Sequence, residues 1–337
     1  KTKMSVDEAN ELPRLQNLKQ TTPEKGKLIL STFYITSGEA NNISAVPPFD
    51  IVIMDEASQA LLAMFAAVKL LGKKTLFVGD PNQLSPVISL NSDRIVRRNY
   101  HFYVDGIVSL NALGNIPAYS LTATYRMPER AATFTGIFYD NILISAQDKT
   151  KTFTYKNLPQ EFNRILSPQG GPSLIKMDLP LGDKKPQSVL TLSTLIVAAF
   201  LSLKEKLHIS VLSSYIETTK ALQKSIFQMV GNHNNLLIDT VSRIQGLTTD
   251  VAIYVIPNTG YSFSLDKRLF NVATSRATMH TIIICDTNIL SNGKAIMNYD
   301  VYQFLSKLDE TQSVNILQNA NSNQFALESL KDNYNEI

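Results

Sequence analysis

The sequence predicts an α/β fold built on parallel β-sheets. Two short apolar runs that are rich in β-branched or aromatic residues, Ile51–Met54 and Thr75–Val78, are typical of fully buried parallel strands. Between them, Ala60–Leu71 is apolar on almost all sides, which favours a helix packed on the face of a sheet. Two later runs, His208–Ser213 and Val251–Pro257, are predicted to be buried strands of the same kind.

Length and composition allow two domains and narrow the class of protein. The 337 residues, 44% of them hydrophobic, are enough for two separate cores. We find no apolar run of membrane-spanning length and no pattern of a secretory signal. The single cysteine, Cys285, excludes an internal disulfide and fits a reducing compartment, so we expect a cytoplasmic or otherwise intracellular protein. The net charge of +3 permits a polyanionic partner without requiring one.

Acidic residues follow both predicted strands of the first pair. Asp55 and Glu56 end the first strand, and Asp80 ends the second. Ligands of open α/β sheets bind outside the carboxyl ends of the strands, so these carboxylates are expected to meet at a site for a cation and a charged ligand. Asp55 is a candidate Mg²⁺ ligand, Glu56 could polarise the water that attacks a γ-phosphate, and Gln83 could sense the product. A solvated strand end is the alternative.

Two strings in this region carry a resemblance to a known family. The strings DEASQ (residues 55–59) and GDPNQLSPV (residues 79–87), in this order and at this distance, resemble motifs II and III of superfamily 1 helicases. The stretch Leu121–Leu143 is similar to the superfamily 1B branch that contains the nonsense-mediated-decay helicase. The resemblance implies two RecA-like domains that close on ATP and Mg²⁺ and move along single-stranded DNA or RNA.

The resemblance implies functional roles for two arginines. Arg126 follows a short predicted strand, and the resemblance implies that it clamps ATP phosphates; a structural salt bridge is the alternative. Lys267–Met279 is predicted to be an amphipathic helix that ends before a strand at Thr281–Cys285. Its string NVATSRA resembles motif VI, which implies that Arg276 is an arginine finger near the domain cleft rather than a surface arginine.

A polar stretch between two predicted strands is the main candidate for binding nucleic acid. Asp239–Asp250, DTVSRIQGLTTD, resembles helicase motif V. The resemblance implies that Thr240, Ser242 and Arg243 contact the nucleic-acid backbone. Gly246 is a candidate nucleotide contact, because glycine lacks the Cβ that would keep the backbone away from a ligand. A polar strand-turn-strand segment is the alternative.

Two segments of the first domain are further candidates. Leu28–Thr32 is predicted to be a strand, and the resemblance implies that the hydroxyls of Ser31 and Thr32 at its end contact the nucleic-acid backbone. An ordinary strand end is the alternative. The basic residues around Arg98 are predicted to form a solvated helix face rather than a phosphate-binding patch.

The predicted domain organisation follows from these motifs. We expect the later part of a first RecA-like domain over residues 1–118, a second RecA-like domain over 119–290, and C-terminal helices with a flexible tail over 291–337. Ser145–Ser188, rich in proline, glycine and lysine, is predicted to be a surface excursion with a hairpin at Thr152–Tyr155. Thr191–Leu207 is predicted to be a core-facing helix.

One expected motif does not occur in the sequence. A nucleotide site of this class uses a glycine-rich loop, G-x-x-x-x-G-K-[ST], whose backbone N–H groups bind the phosphates. No such string is present. The chain is therefore predicted to be either a fragment of an ATP-dependent helicase, inactive by itself, or a degenerate relative. A non-catalytic nucleic-acid-binding or scaffold module is the alternative function.

Overall fold

The protein folds into two compact units, Lys1–Tyr119 and Ser120–Ile337. The structure is a computed structural model, and it describes residues 25–42, 46–88, 95–96, 98–147, 165–203, 206–259 and 261–316. Among these residues, no helix combines the length and the apolar character needed to cross a membrane. Each unit has its own sheet and its own hydrophobic core.

The first unit is built on a pair of parallel strands. Its elements are, in chain order, α1 (Phe33–Glu39), β1 (Phe49–Met54), α2 (Leu62–Leu71), β2 (Gly72–Phe77), α3 (His101–Val104) and α4 (Gly106–Ala112). β1 and β2 pair in parallel, with Met54 opposite Phe77. Helix α2 contacts both strands and α4, and it contributes Met64, Phe65 and Val68 to the core. The two strands and the helix predicted from the sequence are therefore present.

Full burial of these two strands was wrongly predicted. The exposed fraction is 60% for Ile51, 60% for Ile53 and 52% for Leu76. Side chains along a strand point alternately to opposite faces of the sheet. Helix α2 packs on one face, whereas the other face stays exposed among the described residues. Apolar runs alone do not tell whether one or both faces of a strand are covered.

The predicted strand Leu28–Thr32 was also wrong. Only an isolated bridge forms there, at Leu30, and helix α1 follows directly. Thr32 is the N-cap of α1, and its side-chain oxygen accepts a hydrogen bond from the N–H of Ile35 at 3.4 Å. A threonine at this position satisfies an N–H group that has no partner within the helix. The hydroxyls of this segment therefore belong to a helix start rather than to a strand end.

The second unit contains a parallel sheet in which the described residues form six strands. Every neighbouring pair is parallel, which confirms the predicted α/β class. The elements in chain order are β3 (Ala123–Thr124), α5 (Glu129–Gly136), β4 (Ile144–Ser145), β5 (Gly171–Met177), α6 (Gln187–Leu201), β6 (Ile209–Ser213), α7 (Ile216–Val230), β7 (Leu236–Thr240), β8 (Thr249–Val255), α8 (Lys267–Thr274), β9 (Ala277–Asp286), α9 (Ile289–Asn292), α10 (Tyr299–Thr311) and β10 (Ser313–Ile316). The order of the strands in the six-stranded sheet is β10-β5-β9-β8-β6-β7.

Helix α6 fills much of this core. Its predicted inward residues Leu192, Leu195 and Ile196 are at most 3% exposed, and Val197 and Ala198 are buried as well. Burial on most sides is explained by the neighbouring helix α7, which packs along α6. Strand β8 is almost completely buried, as expected for a central strand with both faces covered.

Strand β5 lies inside the segment predicted to be a surface excursion, so that prediction was wrong for residues 171–177. In the sequence, the start of this strand has the composition of a turn, because it contains Gly170, Gly171 and Pro172. Gly171 has a φ of +80°, and a Cβ there would lie 3.0 Å from the backbone nitrogen of Ala131 in α5. The glycine thus lets the strand begin against a helix. The predicted hairpin at Thr152–Tyr155 lies outside the described residues.

Two further boundaries differ from the sequence prediction. Helix α8 ends at Thr274 and β9 begins at Ala277, so the predicted helix to Met279 is too long. After residue 290 the structure has the predicted helices but adds strand β10, which pairs with β5 at the edge of the sheet. The short length of β10 explains why no strand pattern is visible there.

Candidate nucleotide and nucleic-acid sites

The first group of predicted site residues lies at the carboxyl ends of β1 and β2. Asp55 directly follows β1, and its Oδ1 accepts a hydrogen bond from the N–H of Glu56 at 2.9 Å. Both side chains are exposed. The N–H of Ala57 then donates to the carbonyl oxygen of Val78 at 2.8 Å, which fastens the turn after β1 to the end of β2.

Glu56 has a backbone conformation that is unusual for its residue type. Its φ is 50°, in the left-handed region, where residues other than glycine are uncommon. Such conformations cost free energy and cluster at functional sites. The left-handed residue turns the chain directly into the 3₁₀ turn Ala57–Gln59. The position that the sequence assigns to water activation is thus held in a strained turn.

The second group surrounds Asp80 after β2. Asp80 accepts hydrogen bonds at Oδ1 from the N–H of Asn82 and at Oδ2 from Nε2 of Gln83, both at 2.9 Å. A Cβ on the preceding Gly79 would lie only 2.7 Å from the backbone nitrogen of Ser58. Glycine at this position therefore allows the turns after β1 and β2 to pack directly together. The structure brings the predicted acidic residues and Gln83 onto these two adjacent turns.

The residues of this region suit one mode of Mg²⁺ binding. No group of three or more His, Cys, Asp or Glu side chains in the described part of the chain forms a metal cage. Mg²⁺ bound to a nucleotide needs only one or two carboxylates, and phosphates and water complete its shell. Asp55, an exposed carboxylate at a strand end, fits this mode.

In the second unit, Arg126 connects three segments that are far apart in sequence. It follows β3, and its Nε donates to Oγ1 of Thr248 at 3.0 Å. Its Nη1 donates to the carbonyl oxygen of Ser275 at 3.2 Å. The side chain of Gln147 donates both to the carbonyl oxygen of Arg126 and to that of Thr278, at 3.0 and 3.2 Å. The sequence gave no indication that Gln147 belongs to this cluster.

Arg276 lies in the short connection between α8 and β9 and is 1% exposed. Its Nε donates to the carbonyl oxygen of Val272 at 2.9 Å, and its Nη2 donates to Oγ of Ser275 at 3.0 Å. Ser275 is therefore the common hydrogen-bond partner of Arg126 and Arg276. The finger role remains a prediction, and in this conformation the guanidinium of Arg276 is held inside its own unit.

The segment that resembles motif V runs from the carboxyl end of one strand of the six-stranded sheet to the amino end of another. Strand β7 ends at Thr240, and β8 begins at Thr249. Both strands run parallel to β6, so residues 241–248 must return from the carboxyl edge of the sheet to its amino edge. Gly246 has a φ of +83°, a conformation that favours glycine. Thr248, at the end of this segment, contacts Arg126.

The predicted nucleic-acid contacts in this segment differ in exposure. Ser242 and Arg243 are exposed, and an Nη1 of Arg243 lies 3.6 Å from Oδ1 of Asp239 with 73% of the arginine side chain exposed. Thr240 is only 7% exposed, and its hydroxyl lies 3.4 Å from Oγ of Ser242. Ser242 and Arg243 are therefore more accessible to a ligand than Thr240.

The parallel sheet and the alternation of its strands with helices define an α/β protein. Residues 8–90 match one family described as an AAA domain, and residues 107–288 match a second family with the same description. The second match spans more than half of the chain. The chain therefore belongs to the family whose model is described as an AAA domain.

Several known proteins are similar to this chain. An uncharacterized ATP-dependent helicase of Methanocaldococcus jannaschii is 22% identical over 257 residues, which cover 73% of this chain and 37% of that protein. A probable helicase of Dictyostelium discoideum is 25% identical over 283 residues, which cover 79% of this chain and 28% of that protein. The chain thus spans about a third of the length of each relative. The structure of PRRSV helicase is 13% identical with a TM-score of 0.42 and covers 96% of this chain and 57% of that one, a likeness that adds no functional argument.

Proposed function

We propose that this chain is part of an ATP-dependent helicase or translocase that acts on single-stranded nucleic acid. The observation that carries the proposal is the cluster in which Arg126 and Arg276 share Ser275 as a hydrogen-bond partner. Two arginines from distant parts of the sequence meet at one turn within the family match at residues 107–288. Paired guanidinium groups are suited to bind and stabilise phosphate oxygens.

The residues of the first unit would act on the nucleotide. Asp55 would supply a carboxylate oxygen to the Mg²⁺ ion of ATP, which would contribute charge neutralisation at the phosphates. Glu56 orients and polarises the attacking water. Gln83 is held by Asp80 at 2.9 Å, so a change at the γ-phosphate that moves one of these side chains also moves the other.

The residues of the second unit would act on developing charge and on the nucleic acid. Arg126 and Arg276 stabilise the charge of the transferred phosphoryl group. Arg276 must first give up its hydrogen bond to Ser275, because its side chain is buried. Ser242 and Arg243 contact the sugar-phosphate backbone. The same segment, residues 241–248, ends at Thr248, which accepts a hydrogen bond from Arg126. The segment therefore links the proposed nucleic-acid contacts to an arginine proposed to act on ATP.

The first unit offers a further pair of backbone contacts. Ser31 and Thr32 are both exposed, and they stand at the start of helix α1. The hydroxyl of Thr36 donates to Oγ of Ser31 at 2.9 Å, which fixes the orientation of that side chain. We assign Ser31 and Thr32 to the phosphate groups of the nucleic-acid backbone, and DNA and RNA are equally suitable because both carry the same phosphates.

A second candidate function is a non-catalytic nucleic-acid-binding or scaffold module. The observation that favours it is that the 337-residue sequence contains no G-x-x-x-x-G-K-[ST] string. Without that loop, backbone N–H groups do not hold the β- and γ-phosphates in line for attack. Nucleic-acid binding without ATP turnover is the outcome that this second function predicts.

The experiment that tests the proposed function compares Asp55→Ala with Glu56→Gln in the protein expressed from its full reading frame. Loss of Asp55 removes a Mg²⁺ ligand, so nucleotide binding should weaken. Glu56→Gln keeps the size and shape of the side chain, so this variant should bind ATP but fail to hydrolyse it. Equilibrium binding of a fluorescent ATP analogue and release of phosphate are the two measurements. Wild-type turnover by Glu56→Gln would exclude Glu56 from the reaction.

A further inference from the structure

We infer that Phe263 and Tyr215 form a base-stacking site for single-stranded nucleic acid at the carboxyl edge of the six-stranded sheet. This inference rests on the proposed function. The two ring centroids lie 5.9 Å apart, and the ring planes meet at 63°, an edge-to-face arrangement. Phe263 is 50% exposed despite this contact. A half-exposed aromatic ring, held in place by a second one, offers the flat apolar surface on which a nucleobase stacks.

The position of the pair in the sheet connects it to the proposed backbone contacts. Strand β6 ends at Ser213, two residues before Tyr215, and Ser213 is paired with Thr240 on one side and with Val255 on the other. Thr240 leads into the segment proposed to bind the nucleic-acid backbone. Val255 leads into the loop that carries Phe263. Neighbouring strands are about 4.8 Å apart, so these segments leave the sheet side by side.

A buried hydroxyl group fixes the spacing of the two rings. Tyr254 of β8 is fully buried, and its hydroxyl donates to the carbonyl oxygen of Ser264 at 2.7 Å. The same hydroxyl lies 2.9 Å from Oγ of Ser214. Ser264 directly follows Phe263, and Ser214 directly precedes Tyr215. Both flanks of the pair are thus fastened to one side chain, which lowers the entropic cost of ordering the site when a ligand binds.

A lysine supplies positive charge beside the rings. Nζ of Lys184 lies 5.4 Å from the centroid of the Tyr215 ring, and it also lies 3.4 Å from Oε1 of Glu217. The carbonyl oxygen of Lys184 accepts a hydrogen bond from Oγ1 of Thr218 at 2.7 Å, which anchors this residue to the first turn of α7. An aromatic platform next to a cationic side chain is the combination with which proteins hold single strands without reading their sequence.

The test is the affinity of the full protein for an oligothymidine strand and for an abasic strand of the same length, measured by fluorescence anisotropy. The wild type should prefer the strand that carries bases. Phe263→Ala should weaken binding to oligothymidine by about fivefold or more and leave binding to the abasic strand unchanged. Phe263→Trp should retain the preference, since a larger ring keeps the stacking surface.

Phe227 provides the matched control, because it lies near the other end of α7 and is 37% exposed. Phe227→Ala should leave both affinities unchanged. An equal loss of affinity for both strands in Phe263→Ala, or no loss at all, would overturn the stacking site and leave the two rings as a surface for a protein partner. Wild-type protein that binds neither strand would instead contradict the proposed function, and the stacking site with it.

Discussion

Arg126 donates a hydrogen bond from Nη1 to the carbonyl oxygen of Ser275, 3.2 Å away, across 149 positions of sequence. The side chain of the same serine accepts a hydrogen bond from Arg276. The two arginines that the sequence assigns to ATP therefore meet at one residue of the second unit. We expect a change in the position of one guanidinium to alter the position of the other, because substitutions of residues in one hydrogen-bond network have non-additive effects.

Arg276→Ala is predicted to lower the rate of ATP hydrolysis far more than the affinity for ATP. An arginine finger acts on charge that develops in the transition state, and its loss typically costs on the order of a thousandfold in rate. Turnover and nucleotide affinity are measured in the protein expressed from its full reading frame. Arg268→Ala, on the same helix α8, is the matched control and should retain activity. A fall in rate of less than about tenfold with a collapse in affinity would refute the finger.

Gly79→Ala is predicted to destabilise the first unit. The new Cβ would lie 2.7 Å from the backbone nitrogen of Ser58 and 2.9 Å from Cδ1 of Ile107, so the turn that carries the acidic residues must shift. Such overpacking typically costs about 1–3 kcal/mol. Gly38→Ala is the control, because nothing lies within 4 Å of its added Cβ. Chemical denaturation gives the free energy of unfolding, and equal values for the two variants would contradict the close packing of the turns.

The sequence predicted those parts of the fold in which side-chain pattern and secondary structure agree. Apolar runs located β1, β2, β6 and β8, and their order with the intervening helices gave the parallel α/β class. The motif strings placed Asp55 and Asp80 at adjacent strand ends, where the structure has them. These features follow from local chemistry and from the geometry of parallel sheets.

The sequence could not predict features that depend on contacts between distant segments. Strand β5 was missed because Gly171, needed for the approach to α5, is read as a turn. Thr32 was assigned to a strand end because an N-cap can be recognised only after the helix that follows it has been recognised. Arg276 is buried because its side chain forms hydrogen bonds within its own turn. Gln147 belongs to the arginine cluster because it donates to two carbonyl groups that only the folded chain brings together.

Acid is predicted to destabilise the second unit through His280. This residue of β9 is 1% exposed, and burial, together with the charge of Arg130, lowers the pKa of His280 to about 4. The pKa in the unfolded chain is about 6.5, so the unfolded chain takes up the proton first as the pH falls. The stability contribution of neutral His280 is complete above about pH 6.5 and is lost progressively as the pH falls towards 4.

His280→Gln should therefore reduce the acid sensitivity of the free energy of unfolding. The wild type should lose about 2 kcal/mol from this residue between pH 7.5 and pH 5, and the variant should lose correspondingly less. Urea denaturation at the two pH values measures the difference. His233→Gln, at an exposed position, is the control. An identical pH dependence in His280→Gln and the wild type would show that His280 does not cause the acid sensitivity.

Arg243→Ala is predicted to weaken binding of single-stranded nucleic acid and to reduce its salt dependence. The arginine side chain is 73% exposed, and a phosphate contact there would release about one counterion. The slope of log affinity against log salt concentration should therefore fall by nearly one, with equal effects on strands of different sequence. Lys74→Ala, an exposed cation on β2, should leave the slope unchanged. A loss of affinity for only one sequence would contradict a backbone contact.

The most direct test of the proposed function is phosphate release from ATP, measured with and without single-stranded DNA or RNA. The protein expressed from its full reading frame should hydrolyse ATP, and the single strand should stimulate this activity. The 337-residue chain alone should bind the strand but release no phosphate, because its sequence contains no G-x-x-x-x-G-K-[ST] string. Strand binding without any ATP hydrolysis by the protein from the full reading frame would contradict a helicase and establish the scaffold function instead.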